Sequence, residues 1–205
     1  MTDIIAIGGL QPMKRSALAV RPLLLGGLVT MTMLAAPQAV AIDPAQVHVR
    51  TTAVKGSDLP RITAKAVLSQ PPDKVWKILS DCSKYKGRMP RIISARLLKK
   101  EGNKHTCETT VEVPFPFSNL TAVTEAIHEE SPEKLSRKWK LVKGDFKRNE
   151  GSWEIKPVDG GKKSEVTYTL HVEPNTALPA SIIEAAQKKA VPDLFVRLEQ
   201  EAAKL

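Results

Sequence analysis

Over residues 61–69, and again in segments between 92 and 173, apolar and polar side chains alternate with a period of two, the signature of half-buried strands. Ile62, Ala64, Ala66 and Leu68 share one side of a first strand over 61–69. Gly151, Trp153 and Ile155 share one side of a later strand, Gly160-Gly161 makes a tight reversal, and Val166, Tyr168, Leu170 and Val172 share one side of the next. The pattern predicts further strands over 92–100, 105–113, 120–129, 135–143, 146–157 and 164–173. The turns at Gly102, Ser131-Pro132, Gly144-Asp145 and Gly160-Gly161 are too short for anything but antiparallel neighbours. Between the first strand and this meander, Pro71-Pro72 opens a helix over 73–81 with Val75, Trp76 and Leu79 inward, since proline loses no hydrogen bond in a helix's first turn. A second short turn covers 83–87, and Met89-Pro90 ends it. After Pro174 the period lengthens: Leu178, Ile182, Ala185, Ala186, Ala190, Leu194 and Leu198 recur at helical spacing,. The order of elements predicts an α+β fold in which one curved antiparallel sheet grips a long C-terminal helix. The space between them either fills with side chains or stays open as a ligand cavity, and that alternative decides the function.

The chain has 205 residues and a formal charge of +9. Lys14, Arg15 and Arg21 precede an apolar run over 23–36 that ends in Ala39-Val40-Ala41, which reads as an export signal following an upstream extension,. The run contains two adjacent glycines and is short of the roughly 20 apolar positions a membrane helix needs, so cleavage after Ala41 is favoured over an uncleaved anchor. A periplasmic or secreted protein is therefore expected. Residues 1–41 are assigned to the signal and extension, 42–60 to an extended lead-in without periodicity, and 61–205 to one domain, large enough for a core and a pocket. The positive balance favours an anionic membrane face over nucleic acid as polyanionic partner, although the charges are scattered as on a solvated sheet exterior. Cys82 and Cys107 admit either a disulfide or two buried thiols, the second being the commoner outcome.

Three runs, VPFPFSNLTAV, GSWEIKPVDGGKKSEVTYTLHVEP and NTALPASIIEAAQKKAVPDLF, closely resemble the corresponding parts of START-like lipid-binding domains, a superfamily that includes polyketide cyclases and coenzyme Q-binding proteins. The resemblance covers residues 61–205 and implies the helix-grip fold, with a deep apolar tunnel between sheet and C-terminal helix holding a sterol, phospholipid, quinone-like or other polycyclic molecule. One departure matters. Many START domains follow the PFPFSN-type turn with an Arg-Asp pair, whereas this chain has Leu120-Thr121, so no head-group contact through that pair carries over.

The candidate ligand pocket comprises Val111, Arg137, Trp139, Leu141, Trp153, Tyr168, Leu170, Ile182 and Ala186. Trp139, Trp153 and Tyr168 fall on three successive strands in phase with aliphatic neighbours, where rings serve equally as core or as a stacking surface for a flat ligand. Arg137 shares the phase of Trp139 and is the candidate inward cation for a ligand hydroxyl, carboxylate or phosphate; a rim position in water is the commoner fate of such a residue. Arg148, Asn149 and Glu150 form either a polar cluster or an exposed strand start. Pro114, Phe115, Pro116 and Phe117 make a stiffened loop whose rings either cap the tunnel and dip into a bilayer or fold back onto the core. Pro192 interrupts the final helix, as a hinge or as a simple fit to the sheet. His48, His105, His128 and His171 are dispersed without metal spacing, and no phosphate loop, nucleophile elbow or Cys-x-x-Cys appears,, so neither metal, cofactor nor catalytic residue is expected. The leading expectation is a monomeric carrier of one apolar molecule. The alternatives are a cyclase or aromatase-like enzyme acting on a polycyclic or polyketide substrate, and an adaptor whose core is filled by its own side chains.

Overall fold

The computed structural model describes residues 42–176 and 179–205; the proposed export signal and Leu178 lie outside the described residues. The elements are β1 (His48–Thr52), β2 (Arg61–Leu68), α1 (Pro72–Leu79), β3 (Ile92–Glu101), β4 (Lys104–Val111), β5 (Leu120–Ser131), β6 (Lys134–Gly144), β7 (Phe146–Val158), β8 (Lys163–Pro174) and α2 (Ala180–Ala203). They form an eight-stranded sheet in the order β1-β2-β8-β7-β6-β5-β4-β3, every neighbouring pair antiparallel. The expected helix-grip architecture is present.

β1 is the difference. The lead-in 42–60 contains a strand of the sheet, paired with β2 from His48↔Lys65 to Thr52↔Arg61. Its side chains are almost all exposed, so backbone hydrogen bonds hold it at the sheet edge and no apolar alternation marks it. The other strands do alternate: Ile62, Ala64, Ala66 and Leu68 are buried on one face of β2. Register shifts at Ile92/Ser94, Leu97/Lys99, Val123/Thr124 and Phe146/Arg148 interrupt the ladders, and such bulges bend strands. Gly144 (φ +133°) marks one of these corners: a side chain there would meet the Thr121 carbonyl oxygen at 2.2 Å.

One end of the sheet is closed solid. Leu68, Val75, Leu79, Ile155, Val166, Phe195 and Leu198 are fully buried there, and the Trp153 and Phe195 rings lie 5.9 Å apart. The C-terminal half of α2 also carries Glu199, whose carboxylate accepts hydrogen bonds from the backbone amides of Ile42 and Ser69, both at 2.6 Å. The buried carboxylate is compensated by two donors, the buried amide of Ile42 and the partly buried amide of Ser69,. The first half of α2 is looser, with Ser181, Ile182 and Ala185 exposed.

The expectation of two free thiols is corrected: Cys82 and Cys107 form a disulfide, with Cα atoms 6.4 Å apart. It joins the turn after α1 to β4, two segments that sequence alone could not place side by side.

Candidate functional site

Where α2 leaves the closed end, a cavity of about 320 Å³ remains between helix and sheet, at the small end of the range for small-molecule sites. Three layers make its wall. The sheet contributes Ile92, Thr109, Val111, Leu120, Thr124, Arg137, Trp139, Asn149, Trp153, Tyr168, Leu170 and Val172; α2 contributes Gln187, Ala190, Val191 and Leu194; the irregular segment after Cys82 contributes Tyr85, Met89, Pro90 and Arg91.

Cross-strand pairing explains how the sheet residues converge. Arg137 pairs with Trp153, and Trp153 with Tyr168, so three strands present a row of side chains to one face. The Trp153 and Tyr168 rings lie 4.2 Å apart between centroids, and Trp139 stacks on Tyr168 at 6.1 Å. Trp139 pairs with Gly151. A Cβ at Gly151 would sit 2.5 Å from the Trp139 ring, so the glycine makes room for the indole to lie flat across β7. The indole Nε1–H then donates to Asn149 Oδ1 at 3.0 Å. Tyr85 donates its hydroxyl to the Leu79 carbonyl at 2.6 Å. Burial raises the pKa values of both Tyr85 and Tyr168, so both phenols stay protonated,.

Arg137 is not at the rim. It is 5% exposed, with its guanidinium carbon 5.5 Å from the Trp139 ring centroid and 5.8 Å from that of Tyr85, both within cation–π range. Its Nη2 points at Cys107 Sγ, 3.8 Å away. The commoner rim position is thereby corrected; the aromatic rings on either side take the place of water.

Of the nine pocket candidates, Val111, Arg137, Trp139, Trp153, Tyr168 and Leu170 line the cavity, whereas Leu141, Ile182 and Ala186 do not. Leu141 pairs with Thr124 as the last in-register position before the shift at Val123/Thr124, where the bulge bends the strand end. The helix residues fail for an angular reason. At about 100° per residue, Ala186 sits about a quarter-turn, and Ile182 over a third of a turn, from the midline of Gln187, Ala190, Val191 and Leu194; Ile182 is 47% exposed. The residues that pattern reading missed, notably Tyr85, Met89 and Ile92, come largely from a segment with no period. A tyrosine and a methionine close to a cysteine were the only available signal.

The loop carrying Pro114, Phe115, Pro116 and Phe117 connects β4 to β5. Val113 N–H donates to Asn119 Oδ1 at 3.1 Å, and Phe117 N–H to the Pro114 carbonyl at 3.1 Å. The loop is thus shaped by its own hydrogen bonds. Phe115 is 95% exposed, so this ring does not fold back onto the core; Phe117 is partly covered. Arg148, Asn149 and Glu150 divide their duties. Asn149 faces the cavity, while Arg148 lies 3.9 Å from Glu150 and 3.6 Å from Glu173 at the surface.

A second, polar hollow holds His105, His128, Asp81, Lys100, Asn103 and Glu130. The two imidazoles lie 4.1 Å apart. Burial, then the neighbouring His105, Arg137 and Lys100, push the pKa of His128 down to about 3, and burial likewise lowers that of His105. Both rings are neutral at physiological pH. Among the described residues no group of three or more His, Cys, Asp or Glu is arranged to hold a metal ion.

A family model described as polyketide cyclase / dehydrase and lipid transport matches residues 68–199. No curated protein matches the sequence. Among solved structures, the chain is similar to a STAR-related lipid transfer protein from Xanthomonas axonopodis, at 22% identity and a TM-score of 0.68, covering 80% of this chain and 97% of that one. It is also similar to human StAR-related lipid transfer protein 5, at 11% identity and 0.67, covering 78% and 83%. An aromatase/cyclase, Zhui from Streptomyces sp. R1128, matches at 15% identity and 0.58, covering 77% and 96%. At these identities the structural likeness speaks for the fold.

Proposed function

The chain belongs to the polyketide cyclase / dehydrase and lipid transport family, with a START-like helix-grip fold suited to a hydrophobic small molecule, and on that premise we propose that it is an exported carrier of one apolar ligand. The observation that carries this reading is the open apolar cavity beneath α2, rimmed by Ala190, Val191 and Leu194 on one side and Leu170 and Val172 on the other. Transfer of a ligand into such a space is driven by loss of its water-accessible surface, about 25 cal/mol per Å² before the costs of ordering. No carboxylate or imidazole stands among the described residues lining the cavity, which favours carriage over the proton-transfer chemistry of a cyclase. Export is supported by the disulfide, since such bonds persist in oxidising compartments, and by the apolar run that precedes Ala41. The carrier acts as a monomer and meets its donor and acceptor membranes through the loop that displays Phe115.

The test is transfer of a fluorescent lipid between anionic vesicles. Burying one phenyl ring in an interface is worth up to about 1.5–3 kcal/mol, so Phe115→Ser with Phe117→Ser is expected to slow transfer roughly tenfold or more while leaving thermal stability nearly intact. Equal transfer rates would refute the membrane-contact role. Chemical conversion of a bound polyketide, in place of its release unchanged, would move the protein to the cyclase reading.

A further inference from the structure

Arg137 poses a chemical question that the protein itself does not answer. A guanidinium is charged at all physiological pH values and needs acceptors or an anion when removed from water. This one is 5% exposed, yet among the described residues it makes no ion pair. Its Nε is buried without any hydrogen-bond partner, and its Nη2 meets only a disulfide sulfur at 3.8 Å. Cation–π contacts with Tyr85 and Trp139 soften the loss of water but supply no acceptor. On the side away from the cavity stand His105 and His128, both held neutral. The remaining direction is the cavity, which Arg137 lines.

We propose that the ligand is a single-chain or few-ring amphiphile with a carboxylate, seated on the Arg137 guanidinium, its apolar body lying against Trp139, Tyr168, Leu170 and Leu194. The inference rests on the carrier reading above and narrows it to an acid. Charge arithmetic selects the head group. One buried guanidinium neutralises one negative charge, whereas a phosphate monoester brings about 1.5 to 2; the other arginine of the wall, Arg91, is only half-buried. Size selects the body. About 320 Å³ is close to the lower limit for small-molecule sites, which suits one chain or a compact ring system and excludes two acyl chains. Gln187 also lines the cavity, and its amide nitrogen can donate to a second ligand oxygen.

The experiment compares dodecanoate with 1-dodecanol at pH 8, matched in chain and differing in the head, with binding read from the fluorescence of Trp139 and Trp153. Hydrogen bonds to charged groups are worth about 1.5–3 kcal/mol, so the wild-type protein is expected to prefer the acid by about 10- to 100-fold. In Arg137→Met that preference collapses toward unity. Equal wild-type affinities for the two probes overturn the inference and leave the carrier reading standing. A preference for the acid that survives Arg137→Met also overturns it. Binding of neither probe removes both. The wild-type comparison needs no variant, so it decides even where Arg137→Met fails to fold; the expected melting temperature of ligand-free Arg137→Met is equal to or above wild type, because an unpaired buried charge has been removed.

Discussion

Reducing the Cys82–Cys107 bridge perturbs a wall of the cavity as well as the stability of the fold. The bond closes a loop spanning 25 positions, and the chain-entropy relation for such a loop gives about 3.5 kcal/mol of stabilisation at 25 °C. For a protein of this size each kcal/mol corresponds to about 2–4 °C in melting temperature, so reduction or the double substitution Cys82→Ala/Cys107→Ala is expected to lower Tm by about 7–14 °C. The loop contains Tyr85, Met89 and Ile92, which line the cavity, and its other end packs against Arg137. Release should therefore speed amide exchange across residues 83–92 more than across β7 and β8, whose ladder is continuous from Arg148↔Glu173 to Val158↔Lys163. The assay is thermal unfolding by circular dichroism with and without reductant, accompanied by thiol titration of the unfolded, unreduced protein. Two titratable thiols in the untreated protein would show that the bridge is absent, and melting temperatures that agree within experimental error would show that it does not stabilise the fold.

Three other substitutions probe the scaffold. Glu199→Ala leaves the buried amide of Ile42 without its acceptor and frees the partly buried amide of Ser69, so a loss of about 1–3 kcal/mol is expected, mostly from the one buried unmet donor; denaturant unfolding measures it, and an unchanged stability would show that water replaces the carboxylate. Gly151→Ala brings a methyl against the Thr169 carbonyl and the Trp139 ring, for an expected cost of about 1–3 kcal/mol and a shift in tryptophan emission; unchanged emission would mean that Trp139 does not lie over β7. Stability should also fall with acid. His128 is depressed from 6.5 to about 3 in the folded protein, so the unfolded chain binds the proton first, and stability complete above pH 6.5 is lost progressively as pH falls toward 3. His128→Gln should flatten that slope; an unchanged slope would assign the acid sensitivity to other groups.

How much of this could be read from the sequence depended on whether periodicity recorded the relevant contact. Strands that bury one face, such as β2 and β8, announced themselves by alternation, and the short turns between them dictated the antiparallel order. β1 did not, because an edge strand held by backbone hydrogen bonds leaves no trace in side-chain chemistry. The aromatic row of Trp139, Trp153 and Tyr168 was legible by phase. The helix side of the site was not: the apolar stripe of α2 is broad, and an angular offset of about 100° between adjacent residues decides whether Ala186 or Gln187 meets the ligand space. The burial of Arg137 was equally hidden, since alternation gives the face of a strand but not the depth reached when a second layer closes over it. The Tyr85–Ile92 wall depends on a disulfide whose partners come together only in three dimensions.

The most direct test of the account is native mass spectrometry of the purified protein equilibrated with dodecanoate, alongside Ala190→Trp, in which an indole grown from α2 occupies the cavity. A one-to-one adduct is expected for the wild type and none for the variant, with both proteins folded. An adduct of equal abundance on both, or none on either, would contradict the account.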